Sequence, residues 1–100
     1  MKSKDLQAMA ANCGSAARML KQLAHPRRLQ LLCHLAEGEK SVGELERLCL
    51  ASQSQMSQFL TRMRSEGLVD CQRQGSNVFY RIQDPRVREL IAAMHKVFCR

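Results

Sequence analysis

Two helix-start signals lie close together near the middle of the chain, and they constrain the fold more than any other feature. Ser41 is followed three residues later by Glu44, and Ser52 is followed three residues later by Gln55. In such a capping box the serine hydroxyl accepts a hydrogen bond from the backbone N–H of the residue three positions later. The Glu or Gln side chain at that later position accepts one from the backbone N–H of the serine. Each box opens a stretch with apolar residues at helical spacing, which are Leu45 and Leu48 in the first and Met56, Phe59, Leu60 and Met63 in the second. Two short capped helices joined by a tight turn predict a helix-turn-helix over residues 41–66.

A β-hairpin is predicted directly after the second of these helices. Two runs that suit strands, 68–73 and 78–82, are separated by Gln74-Gly75-Ser76-Asn77, whose residues favour a tight turn. We therefore predict a hairpin over 68–82, in the position that the wing takes in a winged helix-turn-helix.

The first and last predicted helices both carry apolar stripes. Apolar residues recur at helical spacing over 6–23, and Asp84-Pro85 marks the start of a last helix over 85–99. A compact helix-turn-helix with a hairpin leaves these stripes partly uncovered, and packing against a symmetry mate would bury them. We therefore predict a homodimer through these two dimerisation helices; packing within one protomer is the alternative. The residues expected at the dimer interface are Leu6, Met9, Cys13, Leu90, Ile91 and Met94.

One more helix begins at Pro26, because proline suits the first helical position, and ends near Gly38. A chain of 100 residues makes one domain. The predicted fold over residues 1–100 is therefore mainly α with a β-hairpin (α+β): a winged helix-turn-helix in the order of four helices, two strands and a final helix.

The charge is strongly basic and unevenly distributed. There are 16 Lys and Arg against 9 Asp and Glu, a net charge of +7, and no acid lies between Arg47 and Arg64. This surplus favours a polyanionic partner, although a soluble protein that is merely basic is the alternative. The sequence shows no signal peptide and no apolar run of the ~20 residues that span a bilayer. We therefore expect a cytoplasmic protein with no membrane partner, whose five cysteines are mostly reduced thiols.

The second helix of the pair presents hydrogen-bonding side chains on its outward face. Glutamine can pair with adenine, and arginine can hold a guanine or a phosphate, so this face and the hairpin tip predict contacts to double-stranded DNA. The candidate DNA-binding residues are Gln53, Ser54, Gln55, Ser57, Gln58 and Arg62 on the helix, with Arg73, Ser76 and Asn77 at the hairpin. A solvated polar face and an ordinary turn are the alternatives. Arg27 and Arg28 either touch phosphate or are solvated. In a homodimer, two such helices would lie ~34–36 Å apart in successive major grooves and would read an inverted-repeat operator.

Several local motifs resemble the ArsR/SmtB family of bacterial repressors. They are Ala24-His25-Pro26-Arg27-Arg28-Leu29, Ser41-Val42-Gly43-Glu44-Leu45, Ser52-Gln53-Ser54-Gln55-Met56-Ser57-Gln58-Phe59-Leu60, Arg64-Ser65-Glu66-Gly67-Leu68-Val69 and Val78-Phe79-Tyr80. The resemblance covers about residues 15–99 and implies a winged-helix homodimer whose outer helices dimerise. Phe59 departs from the pattern, since many members carry His there.

The metal motifs of the family are missing from this sequence. The Cys-x-Cys motif of the arsenic and cadmium sensors would fall on Ser41 and Gly43, where no thiol stands. The zinc positions of the last helix would fall on Asp84, Arg86, Val97 and Arg100. Of these Asp84 alone suits zinc, and the arginines would repel it. The resemblance therefore implies neither a metal site nor a cofactor.

The pair Cys33 and Cys99 resembles the BigR/SqrR/HlyU-like dithiol subgroup. In that subgroup the two thiols of one subunit approach each other, a reactive persulfide bridges them, and oxidation weakens DNA binding. The resemblance implies that Cys33 and Cys99 are the redox-sensing residues and that a persulfide or an oxidant is the inducer. His95, Lys96 and Arg100 favour a thiolate at Cys99, whereas the helix C-terminus disfavours it. We expect Cys99 to attack first and Cys33, on an apolar face, to resolve.

Other hypotheses remain open from the sequence. Both cysteines could be packing residues, and a metal sensor could use Cys33, His34, His95 and Cys99. A DNA-binding protein that senses nothing and a winged helix that binds only proteins are further alternatives. An enzyme is not expected, because side chains adjacent on a helix diverge by ~100° and Cys33 and His34 cannot pair as nucleophile and base.

Overall fold

The computed structural model describes residues 1–99, in which helices surround a small sheet. The elements are α1 (Ser3–Leu23), α2 (Pro26–Ala36), β1 (Lys40–Ser41), α3 (Val42–Cys49), α4 (Gln53–Ser65), β2 (Val69–Gln74), β3 (Asn77–Ile82) and α5 (Pro85–Phe98). This order confirms the predicted winged helix-turn-helix. Helix α1 begins three residues earlier than the periodicity predicts, at Ser3.

Both predicted capping boxes are present. The Ser41 hydroxyl accepts from the Glu44 N–H at 3.2 Å, and the Glu44 carboxylate accepts from the Ser41 N–H at 3.0 Å. In the second box the Ser52 hydroxyl accepts from the Gln55 N–H at 3.1 Å, and the Gln55 side-chain oxygen accepts from the Ser52 N–H at 3.3 Å. These bonds satisfy N–H groups that would otherwise lack a partner at each helix start, so they fix where α3 and α4 begin.

The turn between α3 and α4 differs from the sequence prediction in one respect. The periodicity places Leu48 inward, but its side chain is 43% exposed, whereas Cys49 is 4% exposed and packs with Leu45. Residues four apart share a helix face, so the buried pair of this short helix is Leu45 and Cys49. Leu50 then adopts a left-handed conformation, with φ 50°, and is 88% exposed.

The wing is part of a three-stranded antiparallel sheet with the order β1-β3-β2. Gln74 pairs with Asn77, which leaves Gly75 and Ser76 as the loop. Gly75 has φ +63°, the left-handed region that a two-residue hairpin loop requires at its first position. Strand β1 is a finding beyond the prediction: Lys40 and Ser41 pair with Tyr80 and Phe79.

The core is aliphatic and joins every helix to the sheet. Its fully buried side chains are Leu31, Leu32, Leu35, Leu45, Met56, Leu60, Met63, Leu68, Val69 and Val87. Helix α1 contributes Met19 and Leu23 near its end, so most of its length stays outside this core. Along residues 1–99 none of the helices is both long enough and apolar enough to span a bilayer.

Candidate nucleic-acid interface

Helix α4 has one buried side and one open polar side. Met56, Leu60 and Met63 face the core. The opposite side presents Ser54, Ser57, Gln58, Thr61 and Arg62, all of them exposed. Short hydroxyl and amide side chains on an accessible helix, with no acid among them, can reach the edges of bases in a major groove.

The wing borders one flank of α4. Gln53 and Ser57 line a groove of about 400 Å³ together with Ser76 and Asn77 of the wing tip. Arg73 is exposed on β2, where it pairs with Val78. The structure thus brings Gln53 and Ser57 of α4 next to Ser76 and Asn77 of the wing. Gln58 and Arg62 line a groove on the other flank of α4.

Gln55, a candidate for base contact, also has a structural role at the start of α4. Its side-chain oxygen accepts from the Ser52 N–H, so the oxygen is engaged in the cap of α4. The amide NH₂ of Gln55 is a donor that the capping box does not use. Substitution of Gln55 would therefore disturb the helix start as well as any contact to a base.

The two arginines at the start of α2 are held by the protein. Arg28 is 8% exposed and donates to Glu66 at 2.7 Å and to the Gln22 carbonyl, so the suggestion that it is solvated or touches phosphate is wrong. Arg27 donates to the Cys49 carbonyl at 3.1 Å. Both side chains join α2 to neighbouring elements.

A second groove, of about 580 Å³, borders the other flank of α4. It lies between α4, the last turns of α1 and the start of α2. Arg18, Lys21 and His25 line it, together with Gln58 and Arg62 of α4. Arg18, Lys21 and His25 could not be assigned to this surface from the sequence, because they are distant from α4 along the chain.

The two candidate sensor thiols are close enough to interact electrostatically. Partial burial and, to a smaller extent, the neighbouring Cys99 raise the pKa of the Cys33 thiol above its ordinary value. Both cysteines are exposed residues, so Cys33 is more accessible than its predicted place on an apolar helix face suggests. Arg100, predicted to act on Cys99, lies outside the described residues.

The remaining titratable residues near the thiols do not assemble a metal centre. Within residues 1–99 no three side chains among His, Cys, Asp and Glu lie close enough together to hold an ion, so Cys33, His34, His95 and Cys99 do not form the group that the alternative metal sensor needs. Asp84 caps α5: its carboxylate accepts from the Arg86 N–H at 3.0 Å. Hydrogen bonds from the Arg86 side chain, more than that from its backbone, hold the pKa of Asp84 below its usual range.

Two further cysteines, Cys49 and Cys71, take structural positions. Cys49 is buried at the end of α3, and Cys71 is half-buried on β2 opposite Tyr80. Burial, and to a smaller extent the neighbouring Cys71, raise the pKa of Tyr80. These two thiols belong to the packing of the domain.

The outer helices expose a substantial apolar surface. Leu6 is 55% and Met9 44% exposed, and at the other end of the chain Val97 is 56% and Phe98 81% exposed. Cys13 is also exposed, and Leu90 and Met94 are half-buried against the core. Ile91 is 6% exposed and packs within the core of the protomer, so little of its side chain remains for a partner at a dimer interface.

A groove of about 500 Å³ separates α1 from α5. Met9, Met19, Leu20 and Leu90 supply its apolar lining, and Arg86 and Glu89 stand at its polar side. Leu20 is 54% exposed. An apolar groove between two outer helices is a surface that a second protein chain can cover.

Comparison with known proteins gives consistent matches. The family described as "Bacterial regulatory protein, arsR family" matches residues 25–70. A biofilm growth-associated repressor of Agrobacterium fabrum is 44% identical over 94% of this chain and 80% of its own length. The structure of reduced HlyU from Vibrio cholerae superposes with a TM-score of 0.85 at 39% identity, covering 94% of this chain and 99% of that one. A homodimeric winged helix-turn-helix DNA-binding domain from Mycobacterium bovis gives a TM-score of 0.75 at 33% identity, covering 97% and 86%.

Proposed function

Because the chain belongs to the arsR family of bacterial regulatory proteins, it is a transcriptional regulator, and we propose that it acts in the cytoplasm as a homodimeric repressor on an inverted-repeat operator. The observation that carries this proposal is the exposed polar side of α4, with the wing tip on its flank. The chain has no acid from Arg47 to Arg64, so a phosphate backbone can approach the open side of α4 without repulsion from that helix. Glu46 is the acid among the residues that line the groove between α4 and the wing.

In this proposal the residues of α4 divide their roles. Ser54, Ser57 and Gln58 stand near the start of the helix, where winged and other helix-turn-helix proteins contact base edges. Arg73, Ser76 and Asn77 reach the backbone or minor groove from the wing. Gln53 lies between the two, in the groove that α4 shares with the wing.

A matched pair of glutamine substitutions tests the surface. Gln58→Glu places a carboxylate on the open side of α4, whereas Gln30→Glu makes the same change on the exposed side of α2. Fluorescence anisotropy with a labelled duplex should show a loss of affinity of tenfold or more for Gln58→Glu and little change for Gln30→Glu. Equal affinities for the two variants would contradict the proposal.

We also propose that oxidation of Cys33 and Cys99 releases the protein from DNA. The electrostatic coupling of the two thiols, in which Cys99 raises the pKa of Cys33, supports a bridge within one protomer. Because a thiol of raised pKa is a weaker nucleophile at neutral pH, Cys33 suits the resolving role and Cys99 the first attack.

The chemistry balances with a persulfide RSSH as the inducer. The Cys99 thiolate attacks the terminal sulfur, which forms a Cys99 persulfide and releases RS⁻. The Cys33 thiolate then attacks the Cys99 sulfur, which forms the Cys33–Cys99 disulfide and releases HS⁻. In sum, two protein thiols and RSSH give one disulfide, RSH and H₂S. With hydrogen peroxide the intermediate is a sulfenic acid on Cys99, and the products are the disulfide and two waters.

Mass spectrometry of the protein treated with a persulfide or with peroxide tests this step. We expect a peptide containing Cys33 joined to one containing Cys99, together with weaker operator binding. Cys33→Ser should abolish both effects, and Cys13→Ser, which removes another exposed thiol, should abolish neither. Release from DNA in the Cys33→Ser variant would rule out this mechanism and leave the DNA-binding proposal intact.

A further inference from the structure

The groove on the α1 side of α4 carries positive charge that the fold does not neutralise. We define the α1–α4 groove by Arg18, Lys21, His25, Gln58 and Arg62. Arg28 and Glu66 also line it, but they pair with each other at 2.7 Å. The ion pairs found within residues 1–99 do not include Arg18, Lys21 or Arg62. Three cationic side chains therefore remain for an anionic partner.

His25 adds a hydrogen-bond donor whose direction is fixed. Its Nδ1 accepts from the Arg27 N–H at 3.1 Å, which caps α2. A nitrogen that accepts a hydrogen bond carries no proton, so the proton of the neutral ring is on Nε2. The ring also packs on Phe59 of α4, with 5.2 Å between ring centroids and 60° between planes. The cap and the aromatic contact together orient the ring in the groove.

The position of the groove relative to α4 indicates the partner. The wing borders one flank of the helix, through Gln53 and Ser57, and the α1–α4 groove borders the other, through Gln58 and Arg62. A helix in a major groove ~12 Å wide has a phosphate backbone on each side. One backbone would meet the wing, and the other would meet Arg18, Lys21 and His25.

We propose that the α1–α4 groove binds the phosphate backbone of the DNA strand opposite the wing, with Arg18, Lys21, Arg62 and the Nε2–H of His25 as the phosphate contacts. This inference rests on the proposed DNA binding by α4. It assigns Arg62 to a phosphate rather than to a base. It also gives α1 a second task, because the C-terminal turns of a predicted dimerisation helix contact DNA.

Salt dependence separates phosphate contacts from base contacts. The association constant K falls as the salt concentration rises, and each lost phosphate contact makes the slope of log K against log salt concentration shallower by ~0.9. We expect Lys21→Gln and Arg18→Gln each to weaken binding to a random-sequence duplex and to the operator by similar factors, with a reduced slope for both. The control is Lys4→Gln, which removes the same charge at the other end of α1 and should leave the slope unchanged.

Two substitutions of His25 test the histidine without removing the cap. Asparagine and aspartate are both good N-cap residues, so His25→Asn and His25→Asp should keep α2 folded, which thermal unfolding can verify. His25→Asn should weaken duplex binding several-fold, because its side-chain N–H lies closer to the backbone than Nε2 of the imidazole and falls short of the phosphate. His25→Asp should weaken it further, because its carboxylate repels the phosphate.

The outcomes distinguish this inference from the proposed function. If the parent protein binds duplex DNA but Lys21→Gln and Arg18→Gln keep its affinity and salt slope, the groove does not contact phosphate and the inference is wrong. A groove that bound a small anionic ligand instead would give this same result. If the parent protein binds no duplex, the proposed function itself fails.

Discussion

At the scale of single residues, Cys33 gives the clearest dependence on pH. Burial and the neighbouring Cys99 hold its pKa above the ordinary value. The reactive thiolate therefore forms at a higher pH than for a free thiol. The raised pKa also makes the stability of the fold depend on pH. The free energy of folding that the protonated Cys33 thiol contributes is fully present below the pKa of the unfolded thiol, and it is lost as the pH rises through the pKa of the folded one.

Replacing the neighbour tests this electrostatic contact. A Cys99→Ser variant lacks the charge interaction with Cys99, which is the smaller of the two causes that raise the pKa of Cys33. The pH at which the alkylation rate of Cys33 reaches half its maximum should therefore be lower in this variant, closer to that of an ordinary thiol. The measurement is the rate of iodoacetamide modification at Cys33, followed by peptide mass spectrometry. Cys13→Ser is the control and should leave the profile in place. An unmoved midpoint in Cys99→Ser would mean that the two thiols do not interact.

Several residues show which roles a sequence can reveal. Both capping boxes were predictable, because their partners are three residues apart. Arg28 was not, because Glu66 lies 38 positions away and their pairing depends on how the helices pack. Leu50 was not predictable either, since glycine is the usual residue in the left-handed region and the turn here forces a leucine into it.

At the scale of elements, the start of α4 depends on the Ser52 hydroxyl. Its hydrogen bond from the Gln55 N–H is exposed, and loss of an N-cap of this kind costs typically ~1 kcal/mol. We predict that Ser52→Ala lowers the free energy of unfolding by about that amount, which corresponds to a drop in Tm of ~4–8 °C in a domain of this size.

Ser54→Ala is the matched control for that substitution. Ser54 lies within the first turn of α4, is exposed and makes no capping hydrogen bond. The Tm of the Ser54→Ala protein should therefore stay close to that of the parent. Calorimetry or circular dichroism can compare both variants with the parent. Equal shifts in the two variants would show that the capping box does not stabilise α4.

The helices and the hairpin could be read from caps, prolines and periodicity, since these signals are local. Strand β1 could not, because it is two residues long and exists through its pairing with Tyr80 and Phe79. The groove between α1 and α4 was also beyond sequence reasoning. Arg18 and Arg62 are far apart in the chain, and only the fold brings them to the lining of one groove.

At the scale of the whole molecule, the exposed apolar surface of the outer helices predicts a dimer. Leu6 and Met9 on α1 and Phe98 on α5 are large side chains with substantial exposure, and their burial in an interface is favourable by roughly 25 cal/mol per Å². We predict that Met9→Glu shifts the protein toward monomers, as measured by sedimentation velocity, and weakens binding to a two-half-site operator.

Leu48→Glu serves as the control for oligomeric state. Leu48 is 43% exposed, close to the 44% of Met9, but lies on α3 away from the outer helices. Its variant should sediment like the parent. A Met9→Glu protein that remained dimeric at low concentration would indicate that the outer helices do not form the interface.

The central claim is that the open side of α4 reads base sequence. The most direct test compares affinities for an operator selected in vitro with those for a random duplex, in the parent and in a Ser54→Ala, Ser57→Ala double variant. Specific binding by such proteins exceeds non-specific binding by ~10³-fold or more. We predict that the ratio of operator affinity to random-duplex affinity is at least tenfold smaller in the double variant than in the parent. The affinity of the variant for the random duplex and the salt dependence of that affinity should stay near those of the parent. A double variant that discriminates the operator as well as the parent does would contradict the claim.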